Sequence, residues 1–316
     1  MDRIKLNRRQ FIGTGAKIGA AAILGKDAFS GLAGNLAAAP LRPAVNIAVA
    51  QGADYAATTA KALEVLGGIG RFVKKGAKVA LLPNVQSRHP GTFTKPEILR
   101  TVIQMSKKAG AAEIACLSSL TQQHWDGTGL SKVLADEGVA LKLIPAEDAH
   151  YKAVSIPEGK GIQEARIIAA FFDYDVFINM PITKDHAGNK FTGTMKNLMG
   201  LNSRAANRAF HKPNWKTDLA DIEHLETCIV DLNFAAAPTL NIVDATEIIK
   251  TNGPMGPGEL LKPGKIVAGV DRVAVDAYCA GILGFKPEEV IAIRKAAERK
   301  LGEIDLSKVR VEEVKI

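Results

Sequence analysis

Short apolar runs alternate with helix-patterned segments through most of this 316-residue chain. That alternation restricts the fold to a sheet of mainly parallel strands flanked by helices, because parallel neighbours need a crossover connection between them. Lys78 to Leu82, Glu113 to Leu117 and Val139 to Ile144 read as successive strands, nearly all apolar, as strands covered on both faces must be. Val45 to Ala50 precedes them, and Asp175 to Asn179, Leu240 to Val243 and Lys265 to Val270 follow. The helices predicted between them include Tyr55 to Leu66, a segment opened by Thr94-Lys95-Pro96-Glu97, and Leu130 to Glu137. Gln163 to Phe172, Leu219 to Phe234, Asp271 to Leu283 and Pro287 to Leu301 complete the helical set. The expected fold is α/β and Rossmann-like. Pro157, Gly159 and Gly161 break the pattern, so residues 40–160 and 161–316 are expected as two closely packed lobes, the second carrying most of the site.

The first 39 residues stand apart. Asn7-Arg8-Arg9-Gln10-Phe11-Ile12-Gly13 resembles a twin-arginine export motif, and a small-residue stretch, Ala37-Ala38-Ala39, follows at a distance. The apolar run from Ile18 to Leu24 falls well short of the about 20 residues that a membrane span needs. The expectation is a periplasmic or otherwise extracytoplasmic protein, exported folded, with membrane anchoring only through an uncleaved leader. That segment holds six Lys/Arg against two Asp, so half of the net charge of +8 resides in it. The remainder is too mild a basic excess to argue for nucleic acid. Cys116, Cys228 and Cys279 have no C-x-x-C spacing, which excludes an iron–sulfur cluster ligated by this chain alone and suits buried thiols.

Chemistry concentrates between Asn179 and Gly200, directly after a strand. In an open α/β sheet, ligands sit at the carboxyl ends of the strands. Four polar clusters are expected there: Asn84 with Ser87-Arg88-His89, the stretch Lys184 to Asn197, Asp244 with the loop to Gly258, and Asp271 with its helix, which it suits better as an N-cap. If a helix begins at Thr194, Met195, Leu198 and Met199 form its buried stripe and turn Lys196 and Asn197 away from the core. Gly193 would let the backbone approach a ligand. Lys184, Thr194, Lys196 and Asn197, with Asn84, His211, Asn252 and Gly253, are therefore the expected contacts to a small anionic ligand. His186 and Asp276 are the acid/base candidates. Asp276 lies among apolar residues and must find a partner. Asp185, Asp244 and Asp276 could hold a divalent metal, although no spacing rule brings them together.

Several of these pieces together resemble a known family. Asn179-Met180-Pro181, Lys184-Asp185-His186 and Thr194-Met195-Lys196-Asn197-Leu198-Met199-Gly200 resemble the motifs of the bacterial and archaeal domain of unknown function family 362. Leu82-Pro83-Asn84, Ala209-Phe210-His211, Val243-Asp244, Asn252-Gly253-Pro254 and Val275-Asp276-Ala277 match in the same order. Leu82 stands where the family usually has Lys, and Ile182 where it often has a basic residue. Many relatives add a ferredoxin-like segment with four-Cys motifs, which this chain lacks. The resemblance transfers no settled reaction. Two readings stay open: an exported protein that binds a small anionic ligand, metal or cofactor between its lobes and acts on it, or a non-catalytic cofactor- or metal-binding partner subunit of an exported redox complex.

Overall fold

A computed structural model describes residues 46–316. The leader expected over residues 1–39 lies outside them. In chain order the elements begin with β1 (Ile47–Gln51), α1 (Tyr55–Val65), β2 (Lys78–Pro83), α2 (Pro96–Lys108), β3 (Glu113–Ser118), α3 (Gln122–Asp126), α4 (Leu130–Asp136) and β4 (Ala140–Leu143). Next come β5 (Tyr151–Ser155), β6 (Glu164–Ile168), β7 (Val176–Met180), β8 (Lys184–His186), β9 (Lys190–Thr192), α5 (Thr194–Asn197), α6 (Arg204–Phe210) and α7 (Leu219–Ala235). The remainder is β10 (Leu240–Ala245), β11 (Ile248–Ile249), β12 (Leu260–Leu261), β13 (Lys265–Gly269), α8 (Arg272–Ile282), α9 (Ile291–Glu298) and β14 (Val311–Lys315).

Eight strands form one sheet in the order β14-β1-β13-β10-β7-β2-β3-β4, drawing on both sides of residue 160. Successive side chains of each strand enter different cores. In β2, Val79 and Leu81 pack with α1, α2 and α4, whereas Ala80 and Leu82 pack on the opposite face with α7, α8 and α9. Burial on both faces explains why these strands are almost wholly apolar, and the α/β expectation holds.

Two local expectations fail. Gln163 to Phe172 is not a helix: β6 pairs antiparallel with β5, and a 3₁₀ turn follows over Ala169–Asp173. Buried Ala165 and Ile167 alternate with the less buried Glu164 and Arg166, a period of two that ten residues did not separate from a helical one. The turn of that hairpin is held from outside, because the Asp231 carboxylate accepts the backbone N–H groups of Lys160, Gly161 and Ile162 at 2.6–3.1 Å. Strand β13 runs antiparallel to both β1 and β10. No helix lies between Ala245 and Lys265, so the chain returns without a crossover and must reverse direction. That reversal places Asp271 at the edge opposite to the strand carboxyl ends. There it caps α8, as its place at the helix start suggests, accepting from Val273 and Ala274, and it does not line the cavity described below.

Among the described residues, no helix is long and apolar enough to cross a membrane.

Candidate functional site

The carboxyl ends of β2 and β3 open onto a cavity of about 390 Å³. Asn84, His186, Lys196, Asn197 and His211 all line it, so five of the residues expected from sequence do meet there. Its floor is a chain of buried amides. Lys184 Nζ donates to Asn84 Oδ1 (3.1 Å) and to Thr92 O (2.8 Å). Asn84 Nδ2 donates to Asn197 Oδ1 (3.0 Å), and Asn197 Nδ2 to Asn179 Oδ1 (2.8 Å) and Leu82 O (3.0 Å). Asn179 Nδ2 in turn reaches Asn241 Oδ1 (3.0 Å). A connected polar network of this kind fixes the strand ends relative to one another. Asn197 is thus held by strand-end partners, and Lys184 sits behind Asn84, fully buried, with its pKa lowered to about 7 by burial and by the nearby Lys196.

Lys196 differs. Its Nζ is shielded from solvent in the cavity wall and has no hydrogen-bond partner. Burial lowers its pKa to about 8, and the buried Glu226 carboxylate only partly opposes that. The hydroxyl of Thr192, a further lining residue, is also unsatisfied. Buried polar atoms without partners are rare in folded proteins and point to a missing one.

The hairpin of β8 and β9 carries His186 to the wall. Asp185 anchors that hairpin by accepting from Gly253 N (2.9 Å), while Ala187 N donates to Gly253 O (3.2 Å). A Cβ on residue 253 would lie 1.8 Å from Asp185 O, so only glycine permits this clamp. The Nδ1–H of His186 bonds Ala187 O (2.8 Å) and that of His211 bonds Asn207 O (2.8 Å), which leaves both Nε2 atoms as acceptors without a protein partner. The Trp215 ring lies 5.4 Å from His186 and 5.0 Å from His211. Burial, reinforced by Lys196, lowers the His186 pKa to about 2, and burial lowers that of His211 as well. Both imidazoles are neutral at ordinary pH.

Of the residues at the mouth, the sequence points only to His211. Arg204, Asn207, Arg208 and His211 follow the i, i+3, i+4, i+7 spacing of one helix face, and α6 with its C-cap presents all four to the cavity. The stripe is visible in the sequence, but polar stripes ordinarily face solvent. His124 and the buried Trp125 also line the cavity, and none of its lining residues is Asp or Glu.

The remaining candidates are engaged elsewhere. Asp276 is 1% exposed and accepts from Thr194 N (2.6 Å) and Met195 N (3.0 Å), capping α5 from a distant helix. Burial raises its pKa to about 7 against the pull of those amides. Thr194 Oγ1 donates to Arg272 O (3.0 Å). The close approach permitted by Gly193 is therefore to a carboxylate of the protein itself. Asp244 accepts from Lys95 N (2.9 Å) and from Thr246, and Asn252 is exposed, donating to Pro257 O (3.2 Å). Asp185, Asp244 and Asp276 are each tied to a different backbone segment, and no group of three His, Cys, Asp or Glu among the described residues could hold a metal ion.

Fold and cavity together define an α/β protein with a cation- and imidazole-lined pocket at its strand carboxyl ends. The model of the family described as domain of unknown function (DUF362) matches residues 79–281, and the chain belongs to that family. A thylakoid-associated protein of Synechocystis sp. is 30% identical over 252 residues, 76% of this chain and 73% of that protein. Among solved structures, the lactate racemase apoprotein from Thermoanaerobacterium thermosaccharolyticum aligns with a TM-score of 0.47 and 14% identity over 76% of this chain. The match spans 57% of that structure's length.

Proposed function

We propose that the protein binds a small organic anion in this cavity, beside Lys196 and facing the neutral imidazoles of His186 and His211. One observation carries the reading: the buried, unpartnered Lys196 ammonium in a wall that contains Arg204 and Arg208 but no carboxylate. An anion would supply the missing partner, and the exposed arginines at the mouth would steer it inward. In the empty cavity His186 is too weak a base to take a proton. An anion beside Lys196 leaves the burial of His186 in place but raises the Lys196 pKa, so binding above neutral pH is expected to draw a proton onto Lys196. The twin-arginine-like segment supports an extracytoplasmic setting for this binding.

Calorimetric titration with inorganic phosphate and short carboxylates tests the proposal. Lys196 is charged below about pH 8 in the free protein. For carboxylates, whose own charge is constant in this range, affinity is expected to fall above that pH by up to about tenfold per pH unit, until the pH reaches the higher pKa that Lys196 has beside a bound anion. Reversing the mouth charges with Arg204→Glu and Arg208→Glu together should weaken binding about tenfold or more. Repeating the titration in buffers of different ionisation enthalpy should reveal proton uptake. Affinity indifferent to both pH and charge reversal would defeat the proposal.

A further inference from the structure

A second cavity of about 270 Å³ adjoins the first, sharing Val85, Gln86, His124 and Met255 as common wall. Its own lining adds Ser87, Arg88 and His89. The exposed Arg88 side chain makes no ion pair or hydrogen bond among the described residues. This chamber also has no Asp or Glu in its lining. His89, His124, His186 and His211 line the two cavities, so four of the chain's six His gather there. The common wall sets the apolar Val85 and Met255 beside Gln86 and His124. Met255 is held in place because Ser87 Oγ donates to its carbonyl (2.6 Å) and the same loop is clamped at Gly253 by Asp185.

We propose that the ligand is an elongated dianion that spans both chambers. One anionic group lies toward Lys196, Arg204 and Arg208, the other lies at Arg88, and a less polar segment passes Val85 and Met255. The inference rests on the anion-binding reading and extends it. A monoanion fills one chamber and leaves the Arg88 guanidinium without a partner. Each cavity is near or above the lower end of the volumes that hold drug-sized ligands, far more than one inorganic oxyanion occupies. The two poles act through different residues, so they can be separated by mutation.

The test uses the full chain and titrates α,ω-dicarboxylates of four to ten carbons against monocarboxylates of equal length, with alkane bisphosphonates and monophosphonates as a second series. The best dianion is expected to bind about tenfold tighter than its matched monoanion. Arg88→Gln should bring the ratio of dianion to monoanion affinity down to about one. Lys196→Gln should weaken both classes. Equal affinity of dianions and monoanions in the wild-type protein, at every length, overturns the two-chamber proposal and leaves the anion site standing. A dianion advantage that survives Arg88→Gln overturns it too. No binding in either series, or binding insensitive to Lys196→Gln, overturns the anion-binding reading itself and this proposal with it.

Discussion

Lys196→Met is expected to raise the melting temperature of the unliganded protein while abolishing anion binding. The two effects share one cause. Burying an ammonium without a partner costs stability, and a neutral side chain of similar length removes that cost. The gain should be about 1–3 kcal/mol near neutral pH, or roughly 3–8 °C for a domain of this size. A stability increase at the cost of ligand affinity is the pattern of a residue retained for function. The sign with pH follows from linkage. Lys196 has a pKa of about 8 in the folded chain against 10.5 for the free side chain. Between those values the unfolded chain binds more protons, so wild-type stability should rise from about pH 8 towards 10.5. Methionine should remove this part of the rise. The contribution of Lys184, lowered to about 7, has the same sign and should remain. The groups around Lys196 that define its field are Glu226 on α7, Lys184 and His186 on β8, and His211 after α6. Thermal melts across pH 7–10 with and without saturating phosphate check both halves. A variant that melts lower than wild type, or binds phosphate normally, would remove Lys196 from the site.

The strands were legible because burial on both faces leaves almost no choice of residue. Val79 to Leu82 and Ile242 to Val243 are apolar whichever way they point. Direction is not written in periodicity, so the pattern shows β13 but not its reversal, which moves Asp271 away from the strand carboxyl ends. The absence of a helix between Ala245 and Lys265 was the available signal. At the site, Asn84, His186, Lys196, Asn197 and His211 were all identified, since polar residues cluster at strand ends only where loops gather. Their roles were less readable. Asn197 and Asn84 hold each other and Lys184, contacts separated by about a hundred residues in sequence, and no local pattern encodes such partners. Lys196 and Asn197 are adjacent and were expected to behave alike. In the fold, the asparagine completes a network while the lysine completes nothing.

Asp276→Ala is expected to cost about 3–5 kcal/mol of stability, because it leaves Thr194 N and Met195 N buried without an acceptor. In the structure Asp276 acts as a remote cap that accepts the amides of the first two residues of α5, and Lys196 is the third. Anion affinity per folded molecule should therefore stay within about twofold of wild type once folding is taken into account. Asp276→Asn, which keeps an uncharged acceptor, should restore about half of the lost stability. Gly193→Ala approaches the same contact from the other side. Its Cβ would fall 2.3 Å from Asp276 Oδ1 and 2.5 Å from Phe191 Cζ, so it should also destabilise the chain. In the double variant Gly193→Ala with Asp276→Ala, the carboxylate clash is gone and only the ring contact remains. The combined loss should then be smaller than the sum of the two single losses, as expected of residues in direct contact. Additive losses would separate the two residues. An Asp276→Ala chain of wild-type stability that no longer binds phosphate would instead place the carboxylate in the chemistry of the cavity.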